Sequence, residues 1–183
     1  MTLVEWIEKQ SLKTSVVIAI DGMCAAGKTS LALYLHDLLG GNIFHMDDFF
    51  LPPNKRTEER MATPGGNVDY ERFLKTVLLP IKHHQDVLYQ PFDCHSMAYK
   101  EEVVIPYHSI NIIEGSYALH PALREYYDDY VVLCISETTQ KERLLKRNPL
   151  QYEMFKKKWI PLENKYFEYY QMFKLDNVFK MDE

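Results

Sequence analysis

Short β-branched runs alternate along this chain with segments of helical period, and glycines punctuate the joints. Ser15 to Ile20 (SVVIAI) is an unbroken apolar run and predicts a buried parallel strand. Lys28 to Leu39 follows with Leu31, Leu35, Leu38 and Leu39 at helical spacing, and Gly40-Gly41 ends it. Asn42 to Met46 predicts a second strand. Residues 51–66 carry three prolines and two glycines, which predicts a loop of the length used for lids and binding loops. Asp69 to Ile81 predicts a helix carrying Phe73, Leu74, Val77 and Leu78. Val87 to Phe92 and Val103 to Tyr107 predict an antiparallel hairpin over about residues 87–107.

Ile110 to Ile113 and Tyr130 to Ile135 predict two more buried strands, followed by a polar, basic helix over Glu137 to Arg147. Pro149 to Lys174 predicts a largely helical segment bent near Pro161. Its packing stripe is Ile160, Phe167, Tyr170 and either Phe173 or Lys174. Val178-Phe179 predicts a last edge strand. The strand–helix alternation implies an α/β fold of three layers, a mostly parallel sheet with helices on both faces.

The length of 183 residues suits one domain over 1–183, and the 46% hydrophobic content is enough for its core. A net charge of −5 argues against nucleic acid as a partner. No run approaches the roughly 18 apolar residues of a membrane span, so no membrane partner is expected. Met1 to Gln10 includes Glu5 and Glu8 without a long apolar run, so no signal peptide is read there. Cys24, Cys94 and Cys134 are far apart and lack zinc spacing, which suits a reducing compartment. The expected localisation is cytoplasmic. His36, His45, His108 and His120 have no partner at useful spacing, and His83-His84 reads as a solvated helix end; His95, near Phe92-Asp93, is the one that stands out.

The strongest chemical signal is Gly22-Met23-Cys24-Ala25-Ala26-Gly27-Lys28-Thr29, a complete G-x-x-x-x-G-K-[ST] followed by Ser30. The glycines let the backbone close around phosphates with its N–H groups inward, and the loop opens into the positive end of a helix. Lys28 suits the charge of β- and γ-phosphates, and the Thr29 hydroxyl suits Mg²⁺. Cys24 reads as a small residue that fits a tight loop. The implied fold is that of P-loop NTPases, with ATP and Mg²⁺ as ligands. No G-x-G-x-x-G is present, which disfavours a dinucleotide enzyme.

Ligands of open parallel sheets bind beyond the carboxyl ends of the strands. Asp47 and Asp48 end the second strand, and Glu114 ends the run Ile110 to Ile113. Adjacent carboxylates point apart, so one of the two aspartates suits a hydroxyl about to react and the other a different task. Glu114 suits Mg²⁺ held through water. Asn67 or Asp69 caps the next helix. Arg143 and Arg147, at i and i+4, either close over a transferring phosphoryl group or form a solvated basic face with Lys141 and Lys146.

With these residues in hand, the chain resembles the uridine kinase family of P-loop nucleoside kinases over Val16 to about Phe173. Nicotinamide riboside kinases belong to that family; phosphoribulokinase and bacterial pantothenate kinase are more distant relatives. The resemblance rests on the P-loop, Met46-Asp47-Asp48-Phe49-Phe50, Asn67-Val68-Asp69, Phe92-Asp93-Cys94, Ile112-Ile113-Glu114-Gly115 and the arginine pair. It implies Asp47 as catalytic base and Phe50 at a substrate-stacking position. It also implies Asp69 on ribose hydroxyls, and Phe92, Asp93 and His95 near the base. Phe92 stands where the family has tyrosine, and Cys94 where it has an aromatic residue.

The expected activity is phosphoryl transfer from ATP to a hydroxyl of a nucleoside-like small molecule. Alternatives are a non-nucleoside alcohol such as a sugar or vitamin precursor, or a nucleotide-binding regulatory protein with a kinase fold. A GTPase switch is disfavoured, because no Asp-x-x-Gly exists and Asn164-Lys165-Tyr166-Phe167 lacks the guanine-reading aspartate. A homo-oligomer is compatible with the sequence.

Overall fold

The computed structural model describes residues 1–182. In chain order the strands are β1 Val16–Gly22, β2 Asn42–His45, β3 Val87–Tyr89, β4 Phe92–Asp93, β5 Ala98–Tyr99, β6 Val103–Ile105, β7 Ile110–Glu114, β8 Asp129–Cys134 and β9 Val178–Lys180. The helices are α1 Leu3–Ser11, α2 Lys28–Leu39, α3 Glu58–Ala62, α4 over residues 70–82, α5 Glu137–Arg147 and α6 over residues 152–169. Five strands form one parallel sheet in the order β2-β7-β1-β8-β9. β3 and β6 pair antiparallel beside it, as do β4 and β5, which together make the expected hairpin region.

Both faces of the sheet are covered. Trp6 of α1 and Leu31, Ala32 and Leu35 of α2 pack on Val16, Ile18, Ile20, Ile112, Val131 and Leu133. On the other face, Phe73, Val77 and Leu78 of α4, Tyr117 to Leu119, and Tyr166 and Phe167 of α6 pack on Ala19, Phe44, Ile113 and Val132. The segment leaving β1 therefore covers one face and the segment leaving β7 the other. Such divergence opens a crevice at the carboxyl ends of two adjacent strands.

Four helices start where side chains satisfy free N–H groups, α3 among them through Thr57. Thr2 and Glu5 form a reciprocal capping box on α1, Ser136 caps α5 through Thr139 N, and Asp69 caps α4 through Arg72 N. α1 was not anticipated, although Thr2-x-x-Glu5 carried its signal. Residues 51–66 are not a plain loop, since they hold a 3₁₀ turn at Pro53–Lys55 and the short helix α3 capped by Thr57. The second strand stops at His45, and Met46–Phe49 is a 3₁₀ turn, so Asp47 and Asp48 lie just past the strand end.

Both long helical segments contain a π turn, at Leu74–Leu78 and at Phe155–Trp159. Each lies just ahead of a proline, Pro80 and Pro161. A proline offers no N–H to the carbonyl four residues back, and its ring crowds that carbonyl, so the preceding turn widens. The bend expected near Pro161 is this widened turn. The packing stripe beyond it differs from expectation: Glu163, Tyr166, Phe167 and Met172 are buried, whereas Phe173 and Lys174 are exposed.

A single buried acid joins these parts. Asp21, wholly buried in β1, accepts from Gly22 N (2.6 Å), Leu119 N (2.8 Å), Tyr117 N (3.1 Å) and the Tyr166 hydroxyl (2.8 Å). Burial pushes its carboxyl above the usual range, while these donors and Lys28 oppose the shift. All four partners are donors, so the ionised carboxylate is the form that satisfies them. Asp21→Ala is expected to lower stability by about 3 kcal/mol, since four donors lose their acceptor. At this chain length that is a fall in Tm of roughly 6–12 °C. A thermal melt within a degree of the parent would remove Asp21 from this role.

Candidate active site

The crevice between β1 and β7 is floored by the P-loop. Gly22 has φ +139°, and a Cβ there would stand 2.1 Å from the Leu133 carbonyl oxygen, so only glycine fits. Gly27, at φ +100°, precedes α2 without any side-chain cap. The first-turn N–H groups of α2 therefore remain open to an anion. Ala25 is also left-handed (φ 64°), and this alternation curls the loop into a concave nest of N–H groups.

Lys28 folds back over this nest. Its Nζ donates to the carbonyl oxygens of Gly22 (2.9 Å) and Met23 (3.0 Å) and to Ser116 Oγ (3.2 Å). Thr29 Oγ1 lies 3.3 Å from Glu114 Oε2 at the start of α2. A hydroxyl and a carboxylate converging on one point make a hard-oxygen donor set that fits Mg²⁺. His45 Nδ1 is 2.6 Å from Glu114 Oε1, and that bond raises the imidazole above its ordinary range against partial burial. His45 thus has a partner that its sequence spacing did not reveal.

The two adjacent aspartates do separate. Asp48 Oδ2 accepts from the Tyr89 hydroxyl (2.6 Å) and so ties the turn after β2 to β3. Asp47 points into the crevice, open to water yet enclosed by the cleft walls. Those walls push its carboxyl upward, Lys28 pulls it down, and Glu114 and Asp48 push it up again. Asp47 is exposed as a residue, so water screens these charges.

Three side chains clamp the P-loop from the far wall. Glu163 of α6 accepts from Cys24 N (2.9 Å) and from Ser116 Oγ (2.8 Å). Gln140 of α5 donates to the Cys24 carbonyl (3.0 Å), and Arg143 donates to those of Ala25 (3.3 Å) and Met181 (2.6 Å). Arg147, exposed one turn on, lies over the Phe155 ring at 5.6 Å. The arginine pair therefore splits: one member holds loop backbone and the other rests against α6.

Beyond Asp47 the chain builds a second wall. Asp69 is buried, and it accepts from Lys55 Nζ (2.9 Å) and caps α4. Arg60 pairs with Glu71 through both nitrogens (2.6 and 2.7 Å) and donates to the carbonyls of Gly66 and Val68. Leu51, Lys55, Arg60, Asp69 and Glu71 line a cavity of about 290 Å³. Phe50 packs against Trp159 of α6, ring centroids 5.3 Å apart. Phe92 is buried against Tyr99. Both Asp93 oxygens are used within its own turn, by His95 N and by Ser96 Oγ, each at 2.9 Å. The His95 side chain is exposed at that turn.

Asp21, Gln140, Glu163, Ser116, Lys55 and Arg60 were missed in the sequence. Asp21, Gln140, Glu163 and Ser116 act through partners far away in the chain, and Lys55 and Arg60 through partners across an irregular loop, so no local spacing marks them.

No protein-family model matches the chain. It is 31% identical over 127 residues to uridine-cytidine kinase C of Dictyostelium discoideum; the match takes in 68% of this chain and 28% of that protein's length. The fold matches the structure of a possible uridine kinase from Bacillus stearothermophilus with a TM-score of 0.65 and 21% identity, over 98% of this chain and 100% of that one. It also matches the structure described as a fructose transport system kinase candidate from Silicibacter sp. TM1040, with a TM-score of 0.60 and 22% identity, over 84% and 86% of the two chains.

Cys24 is buried among these groups, and burial followed by Glu163 pushes its thiol up to about 11. At pH 8 only about one molecule in a thousand carries the thiolate there. Iodoacetamide is expected to label the half-buried Cys94 and Cys134 long before Cys24, as read by peptide mass spectrometry. Prompt labelling of Cys24 would mean that the clamp on the P-loop opens readily.

Proposed function

The chain belongs to the uridine kinase-like P-loop kinases, and we propose that it moves the γ-phosphoryl group of ATP to a hydroxyl of a nucleoside-like small molecule. The observation that carries this reading is the convergence of Lys28, the Thr29–Glu114 pair and the water-open carboxylate of Asp47 on one crevice. A nucleotide-binding module has no need for a carboxylate held near its phosphate lysine, whereas a hydroxyl that must lose a proton does.

In this mechanism Gly22 to Ser30 cradle the triphosphate of ATP through backbone N–H groups and the positive end of α2. Lys28 exchanges its carbonyl contacts for phosphate oxygens. Thr29 and Glu114 would hold Mg²⁺, which supplies charge neutralisation at the phosphates. Asp47 orients the acceptor hydroxyl and takes its proton as the acceptor oxygen bonds to the γ-phosphorus. The bond from that phosphorus to the bridging oxygen breaks, and ADP leaves. Arg143 and Arg147 stabilise the charge of the transferring group; to do so Arg143 must give up the Ala25 and Met181 carbonyls and Arg147 must leave Phe155. Most of the acceleration comes from alignment and fixed charge.

The acceptor lies between Asp47, Phe50 and Asp69, under the hairpin that carries Phe92, Asp93 and His95. A second reading keeps the chemistry and replaces the nucleoside by another alcohol. It is favoured by the internal engagements of Phe50, Phe92 and Asp93, which leave few groups free to read a base.

ADP release from ATP·Mg²⁺ is expected to rise with one member of an acceptor panel of uridine, cytidine, nicotinamide riboside, pantothenate and simple sugars. Asp47→Asn is expected to lower kcat by about 10²–10⁴-fold while ATP still binds. Full turnover in that variant would sink the assignment. The acceptor kcat/KM is also expected to fall with decreasing pH, with a midpoint above the ordinary aspartate value of 3.8, because Asp47 must be ionised to take the proton and its carboxyl is raised.

A further inference from the structure

The cavity of about 290 Å³ beyond Asp47 is lined by two cations that are held very differently. Arg60 is fixed: its N–H groups go to Gly66 O (3.0 Å), Val68 O (3.0 Å), the Tyr70 hydroxyl (2.9 Å) and both Glu71 oxygens (2.6 and 2.7 Å). Lys55 is not. Its side chain is half-exposed, and among the described residues its ammonium makes a single hydrogen bond, to Asp69 Oδ2 at 2.9 Å. The other donors of that ammonium are left to water.

Asp69 is the opposite case. It lines the cavity yet is only 2% exposed, and Lys55 is bonded to the oxygen that does not cap α4. Its backbone is tied to the turn that carries Asp47, since Asp69 N donates to Phe49 O (2.7 Å). A second cation backs the carboxylate from inside the fold. Arg72 Nε lies 3.8 Å from Asp69 Oδ2, too far for a hydrogen bond, and this buried nitrogen has no other partner. The outer nitrogens of Arg72 hold the carbonyls of Gln90 (2.7 Å) and Asp48 (3.2 Å), and its guanidinium lies over the Phe49 ring, so it stays in place. Asp69 therefore has a permanent cation on its inner side and an exchangeable one on its outer side. An ion pair with a half-exposed lysine is weakly held against water.

We propose that Lys55 is an internal competitor for the acceptor: it occupies Asp69 Oδ2 in the empty site and is displaced by an acceptor whose hydroxyls donate to that carboxylate. This rests on the kinase reading above, which puts Asp69 in the acceptor wall. The class of ligand follows from what has to be replaced. A charged donor leaves a buried oxygen only for donors that satisfy it as well, and a vicinal diol offers two hydroxyls to one carboxylate where a lone hydroxyl offers one. A molecule that leaves Asp69 alone binds with Lys55 still in place.

The test compares uridine with 2′-deoxyuridine, and D-ribose with 2-deoxy-D-ribose, on the full chain. Binding is measured with saturating ADP, and turnover with ATP·Mg²⁺. Lys55→Met removes the competitor, and Lys55→Arg keeps its charge. In Lys55→Met the diol probe is expected to bind about threefold to tenfold more tightly, because apparent affinity follows the fraction of molecules with Asp69 free. The deoxy probe gains little, so discrimination within each pair widens, while Lys55→Arg stays parent-like. Salt screens the exposed side of the pair. Raising NaCl from about 50 to about 500 mM is expected to tighten the neutral diol probe about twofold on the parent and to leave Lys55→Met unmoved. A merely structural tie would shift the Tm of Lys55→Met and none of these readings.

Weaker or parent-like binding of the diol probe in Lys55→Met would overturn the proposal, and turnover of that probe would still keep the kinase reading. Tighter binding in Lys55→Met of a probe that is never turned over would keep the competitor and count against the kinase reading. No binding of any probe by the parent or by Lys55→Met would overturn the proposal, with the wider acceptor panel deciding the kinase reading separately.

Discussion

A carboxylate taken wholly out of water must be surrounded by donors, and Asp21 turns that constraint into architecture. Its partners come from the P-loop, from the turn after β7 and from α6, three parts of the chain that it draws to one point. The cost of burying one charge is offset only when all of them are in place. The same acid fixes Gly22 at the mouth of the phosphate nest and holds Tyr117 in its left-handed turn. The crevice therefore inherits its shape from an interaction that touches no ligand.

Around that point, the phosphate loop is held from outside as well as from below. Glu163 and Gln140 occupy the N–H and the carbonyl of Cys24, and Arg143 takes the carbonyl of Ala25. These contacts lie in a poorly hydrated wall, where each hydrogen bond to a charged group is worth about 1.5–3 kcal/mol. Helices α5 and α6 are thus mechanically continuous with the P-loop. On the wall beyond Asp47, Arg60 does comparable work with Glu71 and two backbone carbonyls, and so ties residues 51–66 to the start of α4.

What could be read from the sequence was what is contiguous in it. The run from β1 through the P-loop into α2 needs only neighbouring residues, and the apolar runs of β7 and β8 and the capped helix α5 announce themselves in the same way. The Thr29–Glu114 meeting was legible because strand ends of parallel sheets converge. α1 went unread although Leu3, Trp6, Ile7 and Gln10 fall at helical spacing behind the Thr2–Glu5 capping box. α3 was hidden among prolines. Asp21 lies one residue past the run read as strand, in the observed extension of β1, and Glu163 inside a segment that reads as an aromatic stripe. Only the fold places either beside its donors. That Asp47 and Asp48 point apart was legible from their adjacency, but that Tyr89 is the partner of Asp48 was not.

The position of β1 in the sheet also decides when this molecule can exist. Both neighbours of β1, β7 and β8, come from the second half of the chain, and β2 reaches the sheet only through β7. Parallel pairings of such sequence separation form slowly, because loop closure precedes any stabilising contact. The phosphate nest cannot assemble as a local unit early in folding; it appears when the whole chain has come together. A triphosphate that engages it therefore acts as a ligand of the entire native state and stabilises distant parts of the chain as much as the loop it touches.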